Sequence, residues 1–248
     1  MPDLDINAIY FLLLVGVGAM VQTATGFAMG LIIMGGVTAL GLADIGKTAA
    51  VVGFISLVNA LVALRTTHRF MDRKVIIDIA LGMVPMIIVG IVLLNLLSVS
   101  AAGLLRLMLG LVIVSAGFFL MLKPTPYEFQ SSRLMTILTG GAGGLIGGMY
   151  GAGGAPMAYF MYRQPIELNV IRASLLAIFA ISTSFRTVSI TVAGQVDQEI
   201  LVLAALSVPI VVFVTLLTTK FSHVIPDIFL RRLVFVILIS LGLFLIFS

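Results

Sequence analysis

The sequence predicts an all-α integral membrane protein: a polytopic helical bundle of two inverted-topology repeats, each a broken or re-entrant helix pair followed by three transmembrane helices. Three observations carry this expectation. The 248 residues are 61% hydrophobic and 10% charged, with mean hydropathy +1.26, whereas soluble domains are roughly 45–50% apolar and about 25% charged. The apolar residues fall in long continuous runs rather than the alternating pattern of membrane barrel strands. The second half of the chain also replays the first.

Composition excludes several classes of function. With no Cys, disulfides, thiolate metal sites and cysteine nucleophiles are absent. The two His residues, His68 and His223, lie beside charged loops, so no metal centre and no cofactor is expected. The net charge of +4 reads as loop Lys and Arg on the cytoplasmic side of a membrane, not as a nucleic-acid surface. No nucleophile–base pair, paired catalytic carboxylates or phosphate loop is present, and the chain is not expected to be an enzyme. The start, Met1-Pro2-Asp3-Leu4-Asp5, has no basic region of the kind that opens a cleaved signal peptide. The partners expected are a small anionic substrate and membrane lipid; a homodimer stays open.

In order, the first apolar segment runs from Asn7 to Val21, a polar break follows at Gln22-Thr23-Ala24-Thr25-Gly26, and a second segment runs from Phe27 to Leu42. Each piece is about 16 residues where a span takes about 20, which suggests a re-entrant hairpin or two short helices. A third segment covers Thr48 to Leu64. The most basic loop, Arg65 to Lys74, comes next and is assigned to the cytoplasm by the positive-inside rule. A fourth segment, Val75 to Leu97, contains Pro85, and a fifth spans Leu104 to Leu122. Residues 1–122 thus form the first repeat, 123–133 a cytoplasmic linker and 134–248 the second repeat.

The correspondence between halves rests on residues. A shift of about 127 places Gly26 on Gly153 and Asn59 on Arg186; a shift of about 124 places Pro85 on Pro209; a shift of about 126 places Leu105-Arg106-Leu107 on Arg231-Arg232-Leu233. Charge gives the orientation. The basic loop Arg65–Lys74 corresponds to Gly194–Glu199, which lacks Lys and Arg, and the uncharged loop Ser98–Gly103 corresponds to the basic Lys220–Arg232. Sidedness flips at both comparisons, as an inverted repeat requires and a parallel repeat does not. Both termini then lie outside the cytoplasm of a bacterial inner membrane. The second broken pair, Leu134–Met149 and Gly153–Met161, enters from the face opposite the first, so the two tips should meet near the midplane.

The breaks are the candidate substrate-binding elements. The first contributes Gln22, Thr23, Thr25, Gly26 and Phe27; the second contributes Tyr150, Gly151, Gly153, Gly154 and Pro156. Each precedes a helical run, whose first turn carries unsatisfied N–H groups and about +0.5 of a charge, a suitable site for an anion. Pro156 fits a first turn, where a missing N–H is tolerated. The alternative is that the glycines, Gly140 to Gly148 among them, only permit close packing. Arg186 is the sharpest single residue. It lies deep in the segment Val170–Val192 with Ser182 and Ser189 on one helical face. An Arg at that depth costs at least about 2.5–3.5 kcal/mol. With no membrane-embedded Asp or Glu as an obvious partner, an anion is expected as counter-charge; the alternative is a packed seam with Arg186 bonded to carbonyls. Its repeat mate Asn59, with Ser56, marks the matching face. Asp78, near Arg73 and Lys74, reads as an interfacial ion-pairing residue.

The duplicated halves, Thr25-Gly26-Phe27 before a glycine-containing helix, and Tyr150-Gly151-Ala152-Gly153-Gly154-Ala155-Pro156 resemble the TauE/SafE sulfite exporter family of membrane permeases. The resemblance covers nearly the whole chain. It implies transport of sulfur-containing anions, such as sulfite, organosulfonates or related organic acids, across a bacterial inner membrane. The first break is poorer in Gly and richer in Thr than the family pattern. The expected function is therefore a secondary transporter of such anions working by alternating access. A passive anion channel and a non-transporting membrane scaffold subunit are the other readings.

Overall fold

The computed structural model describes residues 6–121, 126–221 and 227–247. Among them the chain forms ten α-helices and a single 3-10 turn, with no strand. They are α1 (Ile6–Thr25), α2 (Met29–Leu40), α3 (Ile45–Thr67), α4 (Arg73–Ser100), α5 (Ala102–Met121), α6 (Arg133–Tyr150), α7 (Gly154–Tyr162), α8 (Leu168–Val192), α9 (Gln198–Phe221) and α10 (Asp227–Phe247). Helices α1, α3, α4, α5, α8 and α9 are long and apolar enough to cross a membrane. Helices α2 and α7, at 12 and 9 residues, are too short, since a span takes about 20. Met1–Asp5, Lys123 at the start of the linker, and His223 lie outside the described residues.

Both short helices fold back on the helix before them. In the first pair, Gly18 faces Met29 and Ile33 while Gly36 faces Leu14, an antiparallel hairpin. In the second, Gly143 faces Met157 and Gly147 lies by Gly153. The first boundary differs from the sequence expectation. Helix α1 continues through Gln22, Thr23 and Thr25 to residue 25, so the break is Gly26-Phe27-Ala28. The reason is local: the Thr23 hydroxyl donates to Ala19 O (2.8 Å) and the Thr25 hydroxyl to Val21 O (2.8 Å). Polar side chains that satisfy themselves on the preceding turn do not break a helix. The chain turns where the backbone leaves right-handed space, at Gly26 (φ +85°) and Ala28 (φ +82°).

The tightest contact is parallel. Gly140, Gly144 and Gly148, one turn apart on α6, lie directly against the backbone of Ile79, Met83 and Ile87 on α4, and Gly82 and Gly90 return the contact toward Ile137 and Leu145. A Cβ at any of these glycines would run into main-chain atoms, so the small-residue spacing serves close approach of two backbones. At the start of this pair Arg133 Nε bonds Asp78 Oδ1 at 2.9 Å. The partner of Asp78 is thus on α6, not the neighbouring Arg73 or Lys74, because α4 and α6 begin at the same end.

Helix neighbours exchange under a shift of five helices. Helix α4 packs on α6 as α9 packs on α1; α3 touches α9 as α8 touches α4; α2 touches α10 as α7 touches α5; and α3–α8 and α5–α10 each pair a helix with its own counterpart. The linker docks by Tyr127, whose N–H donates to Arg163 O (2.7 Å) and whose ring lies 4.2 Å under the Arg163 guanidinium.

Candidate anion site at the helix breaks

The two breaks meet. A Cβ at Gly30, in the first turn of α2, would sit 2.7 Å from Gly151 O and 3.0 Å from the Ala152 methyl, and one at Gly154 would reach Phe27 Cβ at 3.0 Å. The starts of α2 and α7 are therefore adjacent. Neither has a side-chain cap: Ala28 precedes α2 and Gly153 precedes α7, and no side chain accepts from their first turns. Two uncapped helix starts side by side concentrate positive potential in one place. Pro156 falls in the first turn of α7 as expected. Tyr162 on α7 ties the halves together by donating its hydroxyl to Thr25 O (2.9 Å).

Arg186 comes to this place from α8. It is 2% exposed. Its Nε donates to Gly148 O at 3.1 Å and its Nη1 to Ala49 O at 2.7 Å. Two of its donors thus meet carbonyls, as the carbonyl-bonded alternative expects. Gly148 lies one turn before Gly151, and Ala49 O lies 3.1 Å from where a Gly151 Cβ would be, so the guanidinium braces the second break. Those bonds engage two of the roughly five N–H donors of an arginine. The ion pairs among the described residues are Lys47–Glu199 and Arg133–Asp78; neither involves Arg186, and its buried charge meets no carboxylate there.

Around Arg186 the other expected residues separate into two groups. Ser182 is buried, with Oγ 3.4 Å from where a Gly147 Cβ would lie. Gln22, Ser56 and Asn59 are also buried, at 2%, 2% and 0% exposure. Among the described residues Gln22 Nε2, Ser56 Oγ and Asn59 Oδ1 have no hydrogen-bond partner, which is uncommon for buried polar groups. The Asn59 amide nitrogen bonds Thr23 Oγ1 (2.9 Å) and Thr215 Oγ1 (2.7 Å). Tyr150 departs from expectation: its hydroxyl donates to Leu105 O on α5 at 3.0 Å and is not a free donor at the break. Ser189 bonds Phe185 O of its own helix (2.8 Å). Thr25 is occupied at the turn itself, donating to Val21 O and accepting from Phe27 N–H at 3.4 Å.

Sequence reasoning overlooked Gly30, Gly53 and Thr215 as parts of this region. A Cβ at Gly53 would meet Thr187 Oγ1 at 3.0 Å and Arg186 Nη1 at 3.6 Å. Thr187 Oγ1 is itself buried without a partner among the described residues. Gly30 carried a legible signal, a glycine just after the first break; the Ala49 carbonyl and Thr215 carried none.

A multi-pass helical membrane protein with paired helix breaks and a buried arginine beside one of them belongs with the membrane transporters. The Sulfite exporter TauE/SafE family matches residues 10–245, and the chain belongs to that family, which consists of exporters and not enzymes. It is similar to the "Probable sulfite/organosulfonate exporter TauE" of Cupriavidus necator, with 38% identity over 229 residues, covering 92% of this chain and 90% of the relative. No solved structure matches the chain.

Proposed function

We propose that this protein is a secondary transporter that moves small sulfur-containing anions, sulfite or organosulfonates or related organic acids, across the bacterial inner membrane by alternating access. The observation that carries the reading is the near full-length similarity to a relative named as a sulfite/organosulfonate exporter. The site proposed is the junction of the two breaks, with N–H groups at the starts of α2 and α7 and the charge of Arg186 facing the anion. Support comes from the uncapped helix starts and from the lack of a carboxylate partner for Arg186 among the described residues.

An inverted repeat is part of the proposal, with 1–122 and 134–248 as its halves and both termini outside the cytoplasm. The exchange of helix neighbours under a shift of five helices and the flip of basic loops support it. On that orientation Arg65–Lys74 is cytoplasmic, and the ends of α3 and α9 and the start of α8 lie on that side, with the end of α1 turned toward it.

The test is anion flux in proteoliposomes for wild type, Arg186→Lys and Arg186→Ala, after a thermal-shift screen against sulfite, thiosulfate, taurine, sulfoacetate and simple carboxylates. Arg186→Lys keeps a charge but loses the fork. It is expected to stay folded with anion affinity lowered by about tenfold or more. Unchanged affinity and rate in both variants would remove Arg186 from the site. Counterflow exchange separates a carrier from a channel.

A further inference from the structure

A cavity of about 200 Å³ opens at the end of the molecule that carries Arg65–Lys74, bounded by the last turn of α1 before the first break and about four turns of α8 away from Arg186. Its polar lining comes from Thr23 on α1, Thr67 on α3, Asn169 and Arg172 on α8, and Thr219 on α9, with Phe70 also lining it. Among the described residues that line it there is no Asp or Glu. Since a water takes roughly 30 Å³ in the liquid, the space holds a small oxyanion with part of its hydration shell. Arg163, which flanks the same α7–α8 loop, lies instead over the rings of Tyr127 and Tyr159. The guanidinium of Arg172 is the cationic group of this lining.

One face of α3 leads from the cavity toward the buried region around Arg186. Thr23, which lines it, accepts from Asn59 at 2.9 Å. Ser56 lies one turn beyond Asn59, and Gly53 one turn further meets Arg186 and Thr187. Gly53 and Ala63, another lining residue, are ten positions apart, about 15 Å along a helix. Arg172 and Arg186 are fourteen positions apart on α8, close to four turns, so they share a helical face about 21 Å apart. Ser56 Oγ and Asn59 Oδ1, on the same face of α3, are buried polar atoms without partners among the described residues.

The geometry points to this cavity as a second anion site, the cytoplasmic docking site where a sulfonate or sulfite is held by Arg172 and neighbouring hydroxyls before it moves along α3 to Arg186. This rests on the transport reading and on its assignment of the basic end to the cytoplasm. Positive potential from the loop Arg65–Lys74 would raise the local anion concentration at the mouth.

The chain has no Cys, so a single cysteine in place of Thr67 reports on the cavity without background. A thiol-reactive sulfonate is expected to label T67C faster than a cationic reagent of the same size. Sulfoacetate is expected to slow that labelling severalfold while leaving E128C, on the exposed linker, unchanged. Arg172→Gln should raise the anion concentration needed from the cytoplasmic face by about tenfold or more, the size expected when a charged hydrogen-bond partner is lost. The concentration needed from the opposite face should stay unchanged, and Arg172→Lys should partly restore the loss. T67C labelling without charge preference and without protection, in protein that still carries sulfoacetate across vesicles, overturns the docking site and leaves the transport reading standing. Protection of T67C in protein that carries no anion supports the site and overturns the transport reading.

Discussion

Ala28 is the only non-glycine residue with positive φ among the described residues, and it caps α2 where the two breaks meet. An L-residue in left-handed space costs about 1–2 kcal/mol, and such strain persists where surrounding contacts impose it. Replacing Ala28 with Gly removes the Cβ conflict but also a buried methyl, so stability in detergent should change by less than about 0.5 kcal/mol. The same change at Ala177, inside α8, should cost about 1 kcal/mol. Asp78 and Arg133 make an asymmetric pair, their side chains being 9% and 67% exposed. Arg133→Ala strands a buried carboxylate, whereas Asp78→Asn leaves an arginine that can reach polar surroundings. Arg133→Ala should therefore be the more destabilising, by about 1–3 kcal/mol; chemical denaturation of both single variants and the double variant checks the order and the coupling.

Among the elements, the glycine contact between α4 and α6 gives the sharpest expectation. Gly144→Ala would drive a methyl into the backbone of Met83, and neither helix can yield by rotating a side chain. A loss of about 1–3 kcal/mol is expected, read as a lowered melting temperature. Gly46→Ala, in the first turn of α3 with nothing within 4 Å of its Cβ position, should be neutral or mildly stabilising. This contact also marks how far the sequence could be read. The second break and its short helix were legible because Gly151, Gly153 and Pro156 act on their own backbone. The first break was displaced because Thr23 and Thr25 satisfy their hydroxyls within α1, which a run of polar letters does not reveal. The depth of Arg186 followed from hydropathy, but its carbonyl acceptors on Gly148 and Ala49 are 38 and 137 positions away. The Tyr150 hydroxyl finds Leu105, 45 positions back. Such partners are set by tertiary packing and leave no local pattern.

The molecule as a whole is polarised along its helices. Lys47 at the start of α3 pairs with Glu199 at the start of α9, with side chains 37% and 59% exposed, at the end opposite the Arg172 cavity. An exposed pair contributes little to stability, so Lys47→Gln should barely move the melting temperature. An effect on transport would then be an effect on closing that end. If the pair acts as a latch, flux lost in Lys47→Glu should return in Lys47→Glu/Glu199→Lys. Unaltered flux in the single variant sinks the latch. The exchange of neighbours between halves does not extend to stiffness. Helix α4 lies on α6 backbone to backbone, whereas on the corresponding side the Gly16 Cβ position is 3.7 Å from Ile210, an ordinary side-chain contact. A carrier of two equal halves can reach its opposite state by letting each half take the other's shape. Under the proposed alternating access, the close backbone contact on one side and the side-chain contact on the other would keep the halves from trading roles. The state open to the far side should then be a different structure and not a mirrored copy of this one. Amide exchange during turnover should quicken in α1 and α9 and stay slow in α4 and α6.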